Sequence, residues 1–181
     1  MKGNRAAVRY AKALLLMAKQ EGQEEVVLTD VKMISSLIDE SKDLRLLLKS
    51  PLVKMGKKRT VLNAIFEGKV NTITMNFINL IVSHKREAIF ELILFNTIAQ
   101  YNQAHKIATV NVSTAIALSA DLKAALIEKI KTTFEYLEVQ LNEKVDEDLL
   151  GGLVLRIGDK QFDGSIRRQL NDIEKELVHT K

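Results

Sequence analysis

Three histidines are the side chains best suited to acid–base or metal chemistry in this sequence, which contains no cysteine. His84, His105 and His179 lie far apart, without a His-Glu-x-x-His spacing. The lack of cysteine excludes a thiolate zinc site, a disulfide framework and a cysteine nucleophile. We interpret the histidines as polar residues at helix ends and predict no bound metal.

A glycine cluster near the C-terminal end has some of the residues of a phosphate-binding loop. Gly151, Gly152 and Gly158 are close in sequence, but no Lys-Ser or Lys-Thr pair follows them. The residues between, Leu153 to Ile157, are typical of a strand and not of the start of a helix. We therefore predict no nucleotide or other cofactor here.

Two further groups could be mistaken for catalytic or metal-binding residues. Ser165 follows a glycine but lacks the Gly-x-Ser-x-Gly pattern of a nucleophile, and the capping of a helix explains it more simply. The acidic run Asp146 to Asp148 lacks the alternating ligands and central glycine of a calcium loop. The sequence therefore predicts a protein without catalytic residues, although an enzyme with an unrecognised site is the third alternative.

The charge of the chain raises the possibility of nucleic-acid binding. The 181 residues have a formal net charge of +4, which divides into +6 for residues 1–105 and −2 for residues 106–181. The densest basic cluster has no aromatic residues between its charges that could stack on bases; it consists of Lys54, Lys57, Lys58 and Arg59. We interpret it as a solvated helix end, and a basic helical nucleic-acid-binding module remains the alternative function.

Residues 1–105 show the helical period of apolar residues, which predicts a compact six-helix bundle. Gly22, Pro51, Gly56 and Gly68 separate the helices. The predicted helices are Arg5 to Gln20, Gln23 to Glu40, Ser41 to Lys49, Lys57 to Glu67, Thr72 to His84 and Glu87 to His105.

From Ile107 the apolar period changes to two, which is typical of strands. Strands are predicted around Val110, over Tyr136 to Asn142 and over Leu153 to Ile157. Ser119 to Phe134 is predicted to be a helix with Ser119 as its N-cap, Gly158 to Gly164 a turn region and Ser165 to Val178 a last helix. The fold class is therefore mainly α with an α+β C-terminal part, divided into domains 1–105 and 106–181.

The first helix is apolar around more of its circumference than a surface helix needs. Its basic residues fall into one narrow stripe, and alanines, leucines, Tyr10 and Met17 cover most of the rest. Either the helix is buried centrally in its own bundle, or one flank packs on the bundle and the other receives a partner helix. Thr72 to His84 is similarly apolar and could form the other wall of such a groove.

Motifs at both ends of the chain resemble one protein family. The segment Val139 to Gly158 reads VQLNEKVDEDLLGGLVLRIG and continues into Asp163 to Leu170, reading DGSIRRQL. Near the N-terminus, Tyr10 to Leu14 reads YAKAL. In these elements the chain resembles the delta/OSCP family of F-type ATP synthases, over nearly its whole length.

The resemblance implies a function without an active site. Family members are non-catalytic stator subunits that link the F1 catalytic head to the peripheral stalk and resist rotation during proton-driven ATP synthesis. It implies that the N-terminal domain binds the N-terminal segment of an alpha subunit and that the C-terminal domain contacts the b subunit of the stalk. The implied groove residues are Tyr10, Ala13, Leu14, Asn76, Phe77 and Leu80, and those on the b-subunit side are Arg156 and Arg167.

The same reasoning predicts where the chain acts. No apolar run reaches the roughly 18 to 20 residues of a membrane span, and the N-terminus lacks a secretory cleavage site. We expect a peripheral protein at the cytoplasmic face of a bacterial inner (plasma) membrane, present as one copy per complex and held there by partner proteins.

Overall fold

The computed structural model describes the backbone of residues 2–158 and 160–179, and the side chains of residues 4–158, 160–173 and 175. The chain forms two compact units, Met1–Tyr101 (unit 1) and Asn102–Lys181 (unit 2). Unit 1 is helical, and unit 2 combines helices with a four-stranded sheet. The predicted fold class, mainly α with an α+β C-terminal part, is confirmed.

Six α-helices build unit 1, joined by short connections. They are α1 (Lys2–Gln20), α2 (Glu24–Glu40), α3 (Lys42–Lys49), α4 (Met55–Phe66), α5 (Thr72–Ser83) and α6 (Phe90–Ala104), the last of which extends three residues beyond the unit boundary. A 3-10 turn over Glu87–Ile89 leads into α6.

The start of α5 shows how polar residues fix these helices in place. The Asn71 side chain accepts a hydrogen bond from the backbone N–H of Ile73 at 2.9 Å and so caps the helix. Asp30 of α2 is buried, and its Oδ2 accepts hydrogen bonds from the Asn71 N–H at 2.8 Å and from the Thr74 hydroxyl at 2.7 Å. A buried carboxylate with these donors ties α2 to the N-terminus of α5.

The core of unit 1 is formed by apolar side chains that recur with the helical period on all six helices. Its largest members include Phe66 and Phe90, which are almost fully buried. On α1 the buried residues are Ala7, Ala11, Leu14 and Ala18. Because three of these four are alanines, the neighbouring helices approach the backbone of α1 closely.

A buried ion pair joins α4 to the turn before α6 and corrects the interpretation of the basic cluster. The Lys58 Nζ lies 2.7 Å from the Glu87 Oε1 and donates to the backbone carbonyl of Leu48 at 3.1 Å. Lys58 is only 2% exposed, whereas Lys57 and Arg59 beside it are exposed. The cluster is thus not a uniformly solvated helix end, because a carboxylate 29 residues away compensates the buried ammonium group.

Unit 2 is built on one sheet with the strand order β2-β1-β3-β4. Its elements are β1 (Ile107–Thr114), α7 (Ala120–Phe134), β2 (Glu138–Val145), β3 (Leu153–Ile157), β4 (Lys160–Asp163) and α8 (Ile166–His179), with a 3-10 turn over Glu147–Leu149. Strands β1 and β2 are parallel and connected through α7, while β3 pairs antiparallel with β1 and with β4.

The register assigns alternate residues to the two faces of the sheet. On one face, which we term the inner face, Val110 of β1 pairs with Leu141 and Ile157. Val110 packs there with Ile130 of α7 in the core of unit 2. On the other, outer face, Asn111 pairs with Asn142 and Arg156. One face is therefore apolar and the other polar, as the alternation in the sequence predicts.

Two details of the sheet differ from the sequence-based expectation. The predicted turn region Gly158 to Gly164 contains β4, an edge strand whose Phe162 pairs with Leu155. Strand β2 also continues past the predicted end at Asn142 to Val145. The alternation stops at Glu143, which nevertheless pairs with Val112 in the sheet, and its carboxylate meets the Lys123 Nζ of α7 at 2.9 Å.

The glycine cluster serves the close approach of two backbone segments. Gly152 has a φ of +74°, and a Cβ at this position would lie 2.3 Å from the carbonyl oxygen of Gly164. The adjacent hydrogen bonds, from the Gly164 N–H to the Leu153 carbonyl and from the Ile166 N–H to the Gly151 carbonyl, hold the start of β3 against the start of α8. Gly152 is therefore required by the packing of these two segments.

Candidate partner-binding site

Tyr10 identifies the flank of α1 that faces α5. Its hydroxyl oxygen lies 3.2 Å from the His84 Nδ1, at hydrogen-bond distance. Its ring meets Phe77 edge to face, with the centroids 6.5 Å apart and an interplanar angle of 69°. Tyr10 is half-buried, so its ring is shared between the core and the surface.

Several residues near this contact on both helices are exposed. Ala13 lies three positions after Tyr10 and so shares its flank of α1, as does Met17, seven positions after Tyr10. On α5, Leu80 lies between the two residues that contact Tyr10, and its side chain is 42% exposed. Asn76, four positions before Leu80, is also exposed. Tyr10, Ala13, Asn76 and Leu80 thus line the two sides of one surface, which we term the α1–α5 face.

Leu14 and Phe77 occupy a different position from the other predicted groove residues. Leu14 is fully buried and Phe77 is 4% exposed, and both belong to the core of unit 1. The reason is rotational, since one step of 100° from Ala13 or Asn76 turns the next side chain towards the bundle. These two residues lie in the core below the α1–α5 face and are not exposed on it.

His84 is a member of this face that the sequence reasoning missed. The residue was interpreted only as polar and helix-terminal, and it is indeed the C-cap of α5. Its spacing of seven residues from Phe77 indicates that both lie on the same flank of α5, which is the signal that could have identified it.

The charge on α1 adds an electrostatic element beside the α1–α5 face. The helix contains no acidic residue in its 19 positions. Its basic side chains in the described part of the helix are exposed and point away from the buried alanines; they are Arg5, Arg9, Lys12 and Lys19. A segment bound at the α1–α5 face therefore meets positive potential on one side.

In unit 2, Arg156 lies on the outer face of the sheet. It is exposed, and its neighbours across the strands are Asn111 of β1 and Gln161 of β4. Gln161 also lines a polar cavity of about 540 Å³, to which Arg167 of α8 contributes. Arg156 and Arg167, the two residues predicted for the b-subunit side, therefore belong to the same polar side of unit 2.

The start of α8, next to this cavity, is held by a serine cap. The Ser165 Oγ accepts the backbone N–H of Arg168 at 3.2 Å, as predicted for a capping serine. The Asp163 Oδ1 accepts the Ser165 N–H at 3.0 Å. Hydrogen bonds from the Ser165 backbone and side chain lower the pKa of Asp163 below its ordinary value of 3.8, and the Arg168 charge lowers this pKa further.

Within residues 2–158 and 160–179, no helix is long and apolar enough to span a membrane. Groups of three or more histidine, aspartate or glutamate side chains that could hold a metal ion are likewise absent from the described part of the chain.

Comparison with known proteins assigns the chain to a family. The ATP synthase delta (OSCP) subunit family matches residues 6–177, which is nearly the whole chain. This chain belongs to that family. The resemblance of the motifs at the two ends of the sequence is thereby confirmed.

Bacterial relatives agree with this assignment over almost their full lengths. The ATP synthase subunit delta of Christiangramia forsetii is 38% identical over 177 residues, covering 98% of this chain and 95% of the relative. That of Cytophaga hutchinsonii is 35% identical, covering 98% and 97%, and that of Prochlorococcus marinus is 33% identical, covering 97% and 96%.

A solved structure supports the fold. A chain of the cryo-EM structure of the Toxoplasma gondii mitochondrial ATP synthase hexamer matches with a TM-score of 0.72 and 21% identity, covering 95% of this chain and 97% of that one. Two such units in sequence therefore also occur in a distant ATP synthase chain.

Family membership decides between the functions left open by the sequence. The delta (OSCP) subunit is a structural subunit of ATP synthase and not a catalytic one, which confirms the prediction of a non-catalytic stator subunit. The alternative of a nucleic-acid-binding module is set aside. The chain is a subunit of a complex, and its relatives named above are bacterial.

Proposed function

We propose that the α1–α5 face of unit 1 binds the N-terminal segment of the alpha subunit, and that unit 2 contacts the b subunit of the peripheral stalk. The chain then forms the joint between the F1 head and the stalk, at the cytoplasmic face of the bacterial inner membrane. One copy per complex suffices for one stalk.

The observation that supports this proposal is the surface beside Tyr10. Ala13 has almost no side chain and is exposed, so a partner helix can approach the backbone of α1 closely at this point. Leu80 provides exposed apolar area on the other side, and the half-buried Tyr10 ring contacts the buried Phe77 of α5. The face thus combines exposed apolar area at Ala13 and Leu80 with the polar Asn76, which suits a helix bound along its apolar side.

Such a joint requires slow dissociation and no chemical step. Torque on the catalytic head must be resisted at each turn of the shaft, so the bound segment has to remain in place between turns. Apolar burial contributes about 25 cal/mol for each Å² of apolar area removed from water, less the cost of association. Shape complementarity along two helices supplies this area without an active site.

A pair of charge substitutions tests the alpha-subunit contact. The ligand is a synthetic peptide of the alpha-subunit N-terminus from the same organism, and its affinity for the full chain is measured by calorimetry. Ala13→Asp should lower the affinity at least about a hundredfold, because the bound peptide would desolvate an unpaired carboxylate. Val8→Asp, on the flank of α1 that contacts Gln100 of α6, is the matched control and should change the affinity less than about threefold.

The melting temperature separates the outcomes of this test. Both positions are exposed, so both variants should melt close to the unsubstituted chain. Unchanged peptide affinity in Ala13→Asp, with an unchanged melting temperature, would place the alpha-subunit contact elsewhere.

Recovery of partners from membranes tests the joint as a whole. A tagged full chain is expected to retain both the alpha and the b subunits when native membranes are solubilised gently. Retention of alpha without b would leave the function of unit 2 unsupported.

A further inference from the structure

Among the described residues, α7 is the helix that covers the inner face of the sheet in unit 2. Because α7 connects the parallel neighbours β1 and β2, it packs mainly over that half of the sheet, and its Ile130 is buried in a core with residues of β1, β2 and β3. The inner-face residues of the other half are covered less well, since Leu155 is half-buried and Phe162 of β4 is 46% exposed.

An apolar cavity of about 220 Å³ marks the gap between α7 and this half of the sheet. One side is formed by α7, and the floor is formed by β3 and β4. The lining residues that define this α7 slot are Leu126, Lys129, Ile130, Thr133, Phe134, Leu155, Ile157 and Phe162. The slot is a continuation of the core of unit 2 that opens to the surface.

The α7 slot, at about 220 Å³, has room for apolar side chains of a partner helix but not for the whole helix. It is closed at one end, where Phe134 of α7 contacts Phe162 of β4 with the ring centroids 5.8 Å apart. Leu122 lies one turn before Leu126 on the same flank of α7 and is 59% exposed. From Leu122 to Thr133 the flank is about 17 Å long, which corresponds to three turns of a partner helix.

The chain's own α8 does not fill this position. Its Arg167 and Asn171 line the polar cavity together with Val154 and Gln161. Val154 and Gln161 belong to the outer face, because Val154 pairs with Ser113 and Gln161 pairs with Arg156. Helix α8 therefore starts on the other side of the sheet from the slot.

The charges around the slot specify the chemistry of an occupant. Among the described residues that line it, the charged one is Lys129, and none is acidic. At the β4 edge, the Lys160 Nζ lies 6.0 Å from the centroid of the Phe134 ring. Positive charge thus lies on both sides of the apolar α7 slot, which favours acidic side chains beside the apolar residues of a bound partner.

From these observations we infer that the α7 slot is a docking site for an amphipathic helix of a partner protein, with an apolar stripe for the slot and acidic residues beside it. The inference rests on the proposed function in one respect, namely that unit 2 contacts the stalk. It further specifies which surface of unit 2 makes the contact and which charge the partner helix carries.

Two synthetic helices of about 18 residues test this site on the full chain. They share one leucine stripe, and the acidic probe carries glutamates beside the stripe where the basic probe carries lysines. The acidic probe should bind at least about threefold more tightly, a preference that added salt reduces. In ¹⁵N NMR spectra it should shift the amides of α7, β3 and β4.

Substitutions on the slot sharpen the test. The double variant Lys129→Glu/Lys160→Glu should reverse the preference, so that the basic probe binds more tightly. Leu122→Asp should weaken the acidic probe at least about tenfold, while an acidic residue in the first turn of α7 leaves the helix stable. Lys144→Glu, on the outer face, is the matched control and should leave both affinities unchanged.

Several results would overturn the inference. The inference fails if the acidic probe does not bind, or if it shifts only amides of the outer face. It also fails if the acidic and basic probes bind with equal affinity to the unsubstituted chain and again with equal affinity to the double variant. Self-association of the chain that Leu122→Asp abolishes would identify a second copy as the occupant.

Capture of the b subunit from the same organism separates this inference from the proposed function. If the unsubstituted chain and Leu122→Asp capture the b subunit equally well, the slot is not the stalk contact, although the proposed function stands. If the acidic probe binds the slot but the b subunit is not captured, the proposed role of unit 2 fails.

Discussion

Unit 1 buries large side chains from all six of its helices in one core, whereas the buried core of unit 2 is small and opens to the surface at the α7 slot. The phenylalanines in or beside the two cores show the difference, whereas Phe95 of unit 1 is an exposed surface residue. Phe66 and Phe90 of unit 1 are almost fully buried, but Phe134 of unit 2 is half-buried and Phe162 is exposed at the slot. A unit that completes its own core can present a firm surface to a partner, while a unit with an open core can add the partner to that core.

This comparison predicts that residues 1–105 fold on their own, which is the largest effect expected. The fragment keeps α6 intact and retains the whole core of unit 1. It should show strong helical circular dichroism and one cooperative thermal transition. A fragment with weak helicity and a gradual transition would contradict the predicted domain 1–105.

The buried ion pair of unit 1 should contribute strongly to its stability. Glu87→Ala leaves the Lys58 ammonium group buried without its carboxylate and should lower the free energy of unfolding by about 3 to 5 kcal/mol, measured by urea denaturation. The double variant Lys58→Met/Glu87→Leu should recover most of this loss. Asp39→Ala, which removes an exposed pair with Arg45, is the control and should cost no more than about 1 kcal/mol.

In unit 2 the corresponding sensitive position is a backbone contact. Gly152→Ala would require a left-handed residue and place its Cβ against the Gly164 carbonyl, so the free energy of unfolding should fall by at least about 2 kcal/mol. Gly158 also has a positive φ but has no atom within 4 Å of the added Cβ. Gly158→Ala should therefore cost only the left-handed strain, about 1 kcal/mol. Equal losses in the two variants would show that steric contact at Gly152 is unimportant.

The smallest expected effect concerns the acid sensitivity of unit 2. Because hydrogen bonds from Ser165 lower the pKa of Asp163 in the folded chain, the ionised carboxylate stabilises the fold above its ordinary pKa of 3.8. This contribution is lost as the pH falls through the lowered folded pKa. The difference in melting temperature between the unsubstituted chain and Asp163→Asn should thus be largest near neutral pH and shrink in acid.

Titration of the Asp163 carboxyl carbon by NMR provides the direct check. Its midpoint should lie below 3.8 in the unsubstituted chain and move upward in Ser165→Ala, which removes the side-chain donor. A midpoint at or above the ordinary value would disprove the assigned hydrogen-bond arrangement.

Patterns between near neighbours in sequence determined much of this protein. The change of apolar period near Ile107 marks where the first strand begins, and the predicted helices and strands form close to their predicted bounds, although β4 lies in a predicted turn region. Ser119 caps α7 by accepting the N–H of Leu122, and Ser165 caps α8. These features could be predicted because helical periods, strand alternation and caps depend on residues at most four positions apart.

Only the tertiary structure decided which members of an apolar surface are buried and which polar groups meet. Helix α1 has apolar residues on most sides, so its sequence does not distinguish the buried Leu14 from the exposed Ala13. The packing of α5 against one flank makes that distinction, with Tyr10 between Phe77 and His84. The partners of Lys58 and Gly152 are likewise distant in sequence, and a local pattern cannot predict a contact that forms when separate helices or strands come together.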